Sequence, residues 1–436
     1  MDFEPGTSVS ATAVVWWVFL LVIWRLHKRL VGYRGITTFS IFLPYVMATN
    51  GLLVPIANDI AFEMTGIDLT QLTSYDDYWR SLAVMYVALL AGIALANRFR
   101  RTPPMATPVL DDLQTSSNPA AANAYIALAA VIAVFSVIQI YASGFGFDVL
   151  SWVTLQMDYN AYNAHRQAFS EASKGWEFYV YNKLLYAIAP LALVLVSNMR
   201  GIVTWKRVAF TAALALAAMQ SGHKMPILFI IVLIIFSKAM IRRNLVLERR
   251  TVVLGLALLL VLTFLILPGF YLASGNETYV DSLSWSFERL FLEQERTLLL
   301  HFETYPRLHP FLNGASTGTI ATLMGVTDYV PPSVFIPKNM GIDDTSFVAL
   351  FIGEAWADFG FIGVAIMSVV VGFMLQLYNI WFYSQQRPHL EETATFLVIV
   401  FNAYHLLECN FFTTLFTYGL ASTFVIYLCI RRRRAT

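Results

Sequence analysis

Apolar residues recur along this chain in long stretches, parted alternately by short gaps rich in Arg and Lys and by longer gaps of mixed polarity. A helix crossing the hydrocarbon core of a bilayer needs about 20 predominantly apolar residues. Eleven spans are predicted on that basis, near 11–27, 36–57, 80–97, 122–142, 178–198, 207–222, 225–241, 251–272, 360–382, 394–410 and 412–430. Two junctions are tight. Only His223 and Lys224 separate the sixth and seventh spans, with Pro226 next, which reads as a helical hairpin. The last two spans meet around Glu408–Phe411 with no true loop. Segment 344–359 is apolar but carries Glu354 and Asp358, and it reads as a short surface or membrane-dipping helix ahead of the Gly360–Gly363 break. The stretch Leu283–Tyr305 has helical periodicity, setting Phe287, Leu290, Phe291, Leu298 and Phe302 against Glu288, Arg289, Glu293, Glu295 and Arg296. It reads as an amphipathic helix lying on the membrane surface.

Charge then orients the pattern. The short gaps hold 20 of the 29 Lys and Arg residues, from Arg25, Lys28 and Arg29 after the first span to Arg431–Arg434 at the end. Cationic loops stay cytoplasmic, so the expected fold is an all-α polytopic membrane protein with its N-terminus out and its C-terminus in. The first apolar run is followed by charge rather than by a small-residue cleavage site, so it reads as a retained span. The whole of 1–436 is expected to be a single transmembrane helical domain. Outer loops lie at about 58–79, at 143–177 and, largest, at 273–343; a cytoplasmic loop lies at 98–121.

Composition agrees with this reading. Hydrophobic residues make up 58% and charged residues 13%, against roughly a quarter charged in soluble domains; mean hydropathy is +0.61. A net charge of +1 gives no reason to expect nucleic acid as a partner. Cys409 and Cys429 both sit in apolar stretches and make neither a disulfide framework nor a metal spacing. No Asp-x-Asp, His-x-x-x-His, Gly-x-Ser-x-Gly or phosphate-binding Gly loop is present, so no cofactor and no metal are expected.

The candidate chemistry lies in the outer loops. Few cations face that side, among them Arg166 beside His165, Lys183 beside Tyr181, Lys224 beside His223 in the hairpin, and Arg289 and Arg296, seven residues apart on the amphipathic helix. Such groups suit a polyanionic headgroup, because guanidinium grips phosphate oxygens through paired hydrogen bonds. The plainer alternatives are solvation, pairing with Glu288 or Glu293, and anchoring at the membrane interface. Acid–base candidates include Glu354, Glu408, His301 and Asp344. Ionisable groups in apolar surroundings are costly and default to a functional reading; the competing reading for Glu408 is a buried helix-to-helix hydrogen bond, and for His301 a structural histidine.

Three stretches resemble the Wzy-type O-antigen and oligosaccharide repeat-unit polymerases: Asn160–Arg166 through Gly175, Ser221-Gly-His-Lys224-Met-Pro, and Asp344-Thr-Ser-Phe through Gly353-Glu354-Ala-Trp-Ala-Asp-Phe-Gly360. Leu407-Glu408 is similar as well. The resemblance implies a metal-independent membrane glycosyltransferase of the GT-C class in the bacterial inner membrane, with its active site facing the periplasm. It implies undecaprenyl-diphosphate-linked oligosaccharides as substrates, membrane lipids as surroundings and a polysaccharide chain-length regulator as a candidate partner. On that reading Arg166, Arg289, Glu354, Glu408 and His301 are catalytic candidates, and Lys224, His223, Lys183, Arg296, His165, Tyr181 and Asp344 bind substrate. An Arg followed by Gly in each of two outer loops marks the family. Arg166 to Gly175 fits in outline, whereas Arg289 and Arg296 are followed only by Gly314. The competing functions are an O-antigen ligase or other GT-C enzyme, a lipid-linked oligosaccharide flippase, and a non-catalytic partner. Transporters favour internal repeats and mid-membrane charges, and the chain shows no repeat and few such charges.

Overall fold

The computed structural model describes residues 11–33, 35–52, 75–100, 119–142, 176–199, 202–219, 225–246, 278–287, 293–326, 329–341, 346–385 and 388–432, with isolated positions between 253 and 264. Among these the chain is helical and has no strand. In order come α1 (Ala11–Val31), α2 (Phe39–Met47), α3 (Tyr75–Ala96), α4 (Pro119–Ala142), α5 (Trp176–Lys183), α6 (Ala189–Asn198), α7 (Thr204–Met219) and α8 (Met225–Arg242). Then follow α9 (Tyr279–Phe287), α10 (Glu293–Glu303), α11 (Gly318–Leu323), α12 (Pro332–Asn339), α13 (Ile352–Tyr383), α14 (Leu390–Asn402), α15 (Phe411–Phe416) and α16 (Leu420–Arg432). Four helical runs are long and apolar enough to cross a membrane: Asp76–Phe99, Val180–Asn198, Ile352–Tyr383 and Phe411–Cys429. Helices α1, α4, α7 and α8 overlap further expected spans.

Helix α13 is the axis of the larger apolar core and lies parallel to α3. Small residues let the two backbones meet, as they do between membrane helices. A Cβ on Gly92 would collide with the Val369 carbonyl, and one on Gly372 with that of Leu89. A second core gathers α4 to α8, around Ala133, Tyr181, Leu185 and Leu214. The basic gaps after α1, α3 and α8 meet at one end of the bundle: Asn97 Nδ2 donates to Leu30 O at 2.7 Å, and Ile36 N to Leu245 O at 2.8 Å. At the other end the third-loop helices sit on the N-terminal turns of α3 and α13. Phe302 packs between Tyr78 and Trp356 at ring distances of 6.2 and 4.4 Å.

One local expectation meets a different outcome. Of the stretch 283–305, residues 283–287 lie in α9 and 293–303 in α10, with 288–292 outside the described residues, and α10 is packed inside instead of lying on a surface. Leu298, Leu299, His301 and Phe302 are all buried, and so is Glu295. The amphipathic pattern was real, but α3 and α13 cover the helix on more than its apolar stripe. The break expected at Gly360 is present, and it divides α13 into a short first helix and a longer second one: Phe359 (φ −141°, ψ 18°) and Gly360 (φ 58°, ψ −140°) leave helical geometry. Only glycine adopts that second pair of angles without strain. Loop 143–175, most of loop 58–79 and the 220–224 hairpin lie outside the described residues.

Candidate functional site

The first two turns of α13 are held from both sides before any carboxylate is considered. Phe351 N donates to Leu406 O at 2.9 Å, joining the start of α13 to the 3-10 turn after α14. Gly353 packs against the His301 ring, so that a Cβ there would meet Cγ and Cδ2 at 3.3 Å. Trp356 Nε1 donates to Tyr305 O at 2.7 Å. Glu354 emerges from this frame half-buried, and Asn410 Nδ2 donates to its Oε2. Across the seam between α14 and α15, Tyr404 donates its hydroxyl to Glu408 Oε1 at 2.7 Å, and its ring lies 5.9 Å from that of Tyr45. Tyr404, Glu408, Cys409 and Asn410 are all half-buried, and the charges of Glu408 and Glu354 both reach Cys409. The two carboxylates named from sequence are brought to one junction.

One turn beyond Glu354, on the same helix face, Asp358 is held by three donors. It accepts from Gly314 N at 3.0 Å, Ser316 N at 2.9 Å and Ser316 Oγ at 2.6 Å, while Tyr329 donates to the Ser316 carbonyl. Asp358 thus ties the third loop to α13. Burial, with the charges of Asp358 and Glu354 added, holds the hydroxyls of Tyr305 and Tyr329 well above the usual phenol range, so both stay protonated beside these carboxylates.

The other expected residues divide by location. His301 is buried, its Nδ1 2.7 Å from Thr297 O, and burial lowers its pKa to about 4. A carbonyl can only accept, so Nδ1 carries the proton and the ring is neutral. Arg296 lies over the Phe347 ring at 5.8 Å. Lys183 is half-buried and donates to Thr417 O at 3.3 Å, at the C-terminal end of α15. Tyr181 is buried and donates to the carbonyls of Ala217 and Ala218 at 2.8 and 3.1 Å, just before the hairpin of His223 and Lys224. His165, Arg166, His223, Lys224, Arg289 and Asp344 lie outside the described residues. Among the described residues no three His, Cys, Asp or Glu side chains are grouped as a metal site. Sequence reading missed Asn410, Tyr404 and the tie at Asp358. An Asn opening the helical run Phe411–Phe416 is a cap signal, and it was the one available clue.

A family model described as "Putative O-antigen polymerase" matches residues 172–392, slightly more than half of the chain. The match contains Lys183, Lys224, Arg289, Arg296, His301, Asp344 and Glu354, and leaves out Arg166 and Glu408. No curated protein matches the chain, and no solved structure does.

Proposed function

The chain belongs to the O-antigen polymerase family, and from that premise we propose that it joins undecaprenyl-diphosphate-linked oligosaccharide units at the periplasmic face of the bacterial inner membrane, with Glu354 as the base. A multi-pass membrane protein of this family takes part in O-antigen synthesis as a polymerase. The observation that carries the finer reading is the Glu354 carboxylate, half-buried, anchored through one oxygen, and set on the segment that the family model matches. A general base must be held in place yet reachable by the proton it takes. Glu408 lies outside the matched segment, Asp358 is held by three donors, and His301 is enclosed.

In the proposed step an acceptor sugar hydroxyl attacks the anomeric carbon of the donor glycan. A new C–O bond forms as the bond to the diphosphate breaks, the electron pair leaves with undecaprenyl diphosphate, and the hydroxyl proton passes to Glu354. Cations stabilise the leaving group as charge builds on it, a role assigned to Arg166, Arg289 and Lys224, with Lys183 and Arg296 at the edge of the site. Sorting of charge along the chain supports the periplasmic placement: the basic gaps gather at one end of the bundle and Glu354 sits at the other. His301 acts as a wedge under Gly353 rather than as a proton carrier.

The test is glycan ladder analysis in a deletion strain carrying Arg166→Ala, Arg289→Ala or the wild-type gene. Each variant should insert normally and yield single capped units without ladders. Normal ladders from both variants would remove the proposed diphosphate site. Finished polymer stranded on its carrier in the deletion strain would mean a ligase instead.

A further inference from the structure

Asn410 opens α15 with an extended backbone (φ −60°, ψ 160°), and its side-chain Oδ1 accepts from Thr413 N at 2.6 Å. A primary amide has one accepting end and one donating end. A backbone N–H can only donate, so the cap fixes which way the amide is turned. The NH2 group must then point away from α15, and it meets Glu354 Oε2 from a position 56 residues further along the chain. Both partners are tied at the backbone. Asn410 O accepts from Thr414 N at 3.0 Å, and the start of α13 is stitched to Leu406, four residues before Asn410. Among the described residues no hydrogen bond is made to Oε1 of Glu354, and the side chain keeps part of its exposure. Among the described residues one carboxylate oxygen is anchored and the other takes no donor.

We propose that Asn410 is a positioning residue for sugar transfer: capping of α15 sets the amide, the amide holds Oε2 of Glu354, and Oε1 is thereby aimed at the acceptor hydroxyl. The inference rests on the assignment of Glu354 as the base, and it adds a group that does not touch the substrate. It lies outside the stretch matched by the family model.

The test uses the full-length protein in lipid nanodiscs with lipid-linked repeat units as substrate, reading kcat, KM and thermal unfolding. Asn410→Ser keeps a capping oxygen but is too short to reach Glu354. Asn410→Asp keeps the cap and replaces the donor with a second carboxylate. Asn410→Ser should unfold close to the wild-type temperature, Asn410→Asp somewhat below it because two carboxylates then share the site, and both should keep KM within about twofold while kcat per folded molecule falls about 10- to 100-fold, the scale of a small misplacement of a reacting group. Wild-type kcat per folded molecule in both variants would overturn the proposal. Glu354→Gln separates the two ideas: if it turns over normally, the base assignment fails, whatever Asn410 does. The double variant Glu354→Gln with Asn410→Asp restores an amide–carboxylate pair in reverse. It should fold like the wild type and remain inactive, and recovery of turnover would show that the contact is only a structural tie.

Discussion

The two ends of α13 carry polar groups of opposite kinds. At the C-terminal end Gln376, Asn379 and Tyr383 are buried and uncharged. Gln376 Nε2 donates to Asn97 Oδ1 at 2.7 Å, and its Oε1 accepts from Asn379 Nδ2 at 3.0 Å. Asn379 Oδ1 accepts from Thr38 N at 2.9 Å, and Tyr383 donates to Ile36 O at 2.6 Å. Tyr33 stacks on Tyr383 at 4.2 Å, and the Arg100 guanidinium lies over the Tyr33 ring at 4.6 Å from its centre. Gln376, Asn379 and Tyr383 are thus bonded to other parts of the protein. The N-terminal end holds carboxylates instead, and one of them is left half-open. Neutral amides closed on one another stabilise an assembly of helices, because a buried polar group costs little only when it is paired. A carboxylate with one oxygen uncommitted gives up part of that stabilisation and keeps a place for chemistry.

The sharpest way to break this contrast is Glu354→Gln. Polymerisation should fall about 100- to 10,000-fold, the usual range for a lost general base, while thermal unfolding in detergent stays near the wild type. A variant that makes ladders at the normal rate would make the two ends equivalent. Next in size is Gln376→Leu, which leaves Asn97 and Asn379 with unmatched groups. It should cost about 1–3 kcal/mol for each group orphaned, seen as a lower unfolding temperature, with turnover per folded molecule unchanged. Loss of turnover without loss of stability would place function at the wrong end.

A smaller effect is set by pH. Burial raises the Glu295 pKa from 4.5 to about 8, so its contribution to stability is complete below about 4.5 and is lost as pH rises towards 8. Burial lowers the His301 pKa from 6.5 to about 4, so its contribution is complete above 6.5 and is lost as pH falls. The two trends oppose each other between 4.5 and 6.5, and above 6.5 only that of Glu295 remains. The unfolding temperature should therefore drop from pH 6.5 to 8 in the wild type and drop less in Glu295→Gln; parallel curves would refute the assignment. Smallest of all is Arg80→Ala. Its pair with Asp76 spans 3.7 Å and both side chains are largely exposed, at 67% and 77%. Screened pairs of this kind contribute little, and neither ladders nor unfolding should change measurably.

Hydropathy made the helical membrane class and the break at Gly360 legible, because apolar runs and a Gly pair are local signals. Glu354 and Glu408 were legible for a related reason: a carboxylate in an apolar stretch stands out. Asn410 did not stand out, since an uncharged amide at the seam of two spans looks like any short polar residue, and its importance comes from a partner 56 residues away. Glu295 looked like the wet face of a surface helix, and His301 read as either a catalytic or a structural histidine. Their burial arises from packing of α10 on α3 and α13, which no period along the chain encodes. The cations expected at the diphosphate were visible as charges against the topology rule, and Arg166, Arg289 and Lys224 lie outside the described residues.

The interruption at Phe359 and Gly360 has a mechanical consequence. An unbroken helix is a rigid screw in which a slip of one residue at one end swings the other by about 100°. With helical geometry lost there, the longer part of α13 keeps its own register on α3. The first two turns stay clasped by Leu406, Ser316 and Asn410. Seating on the neighbouring helix and the setting of Glu354 are thereby governed by separate pieces of one helix.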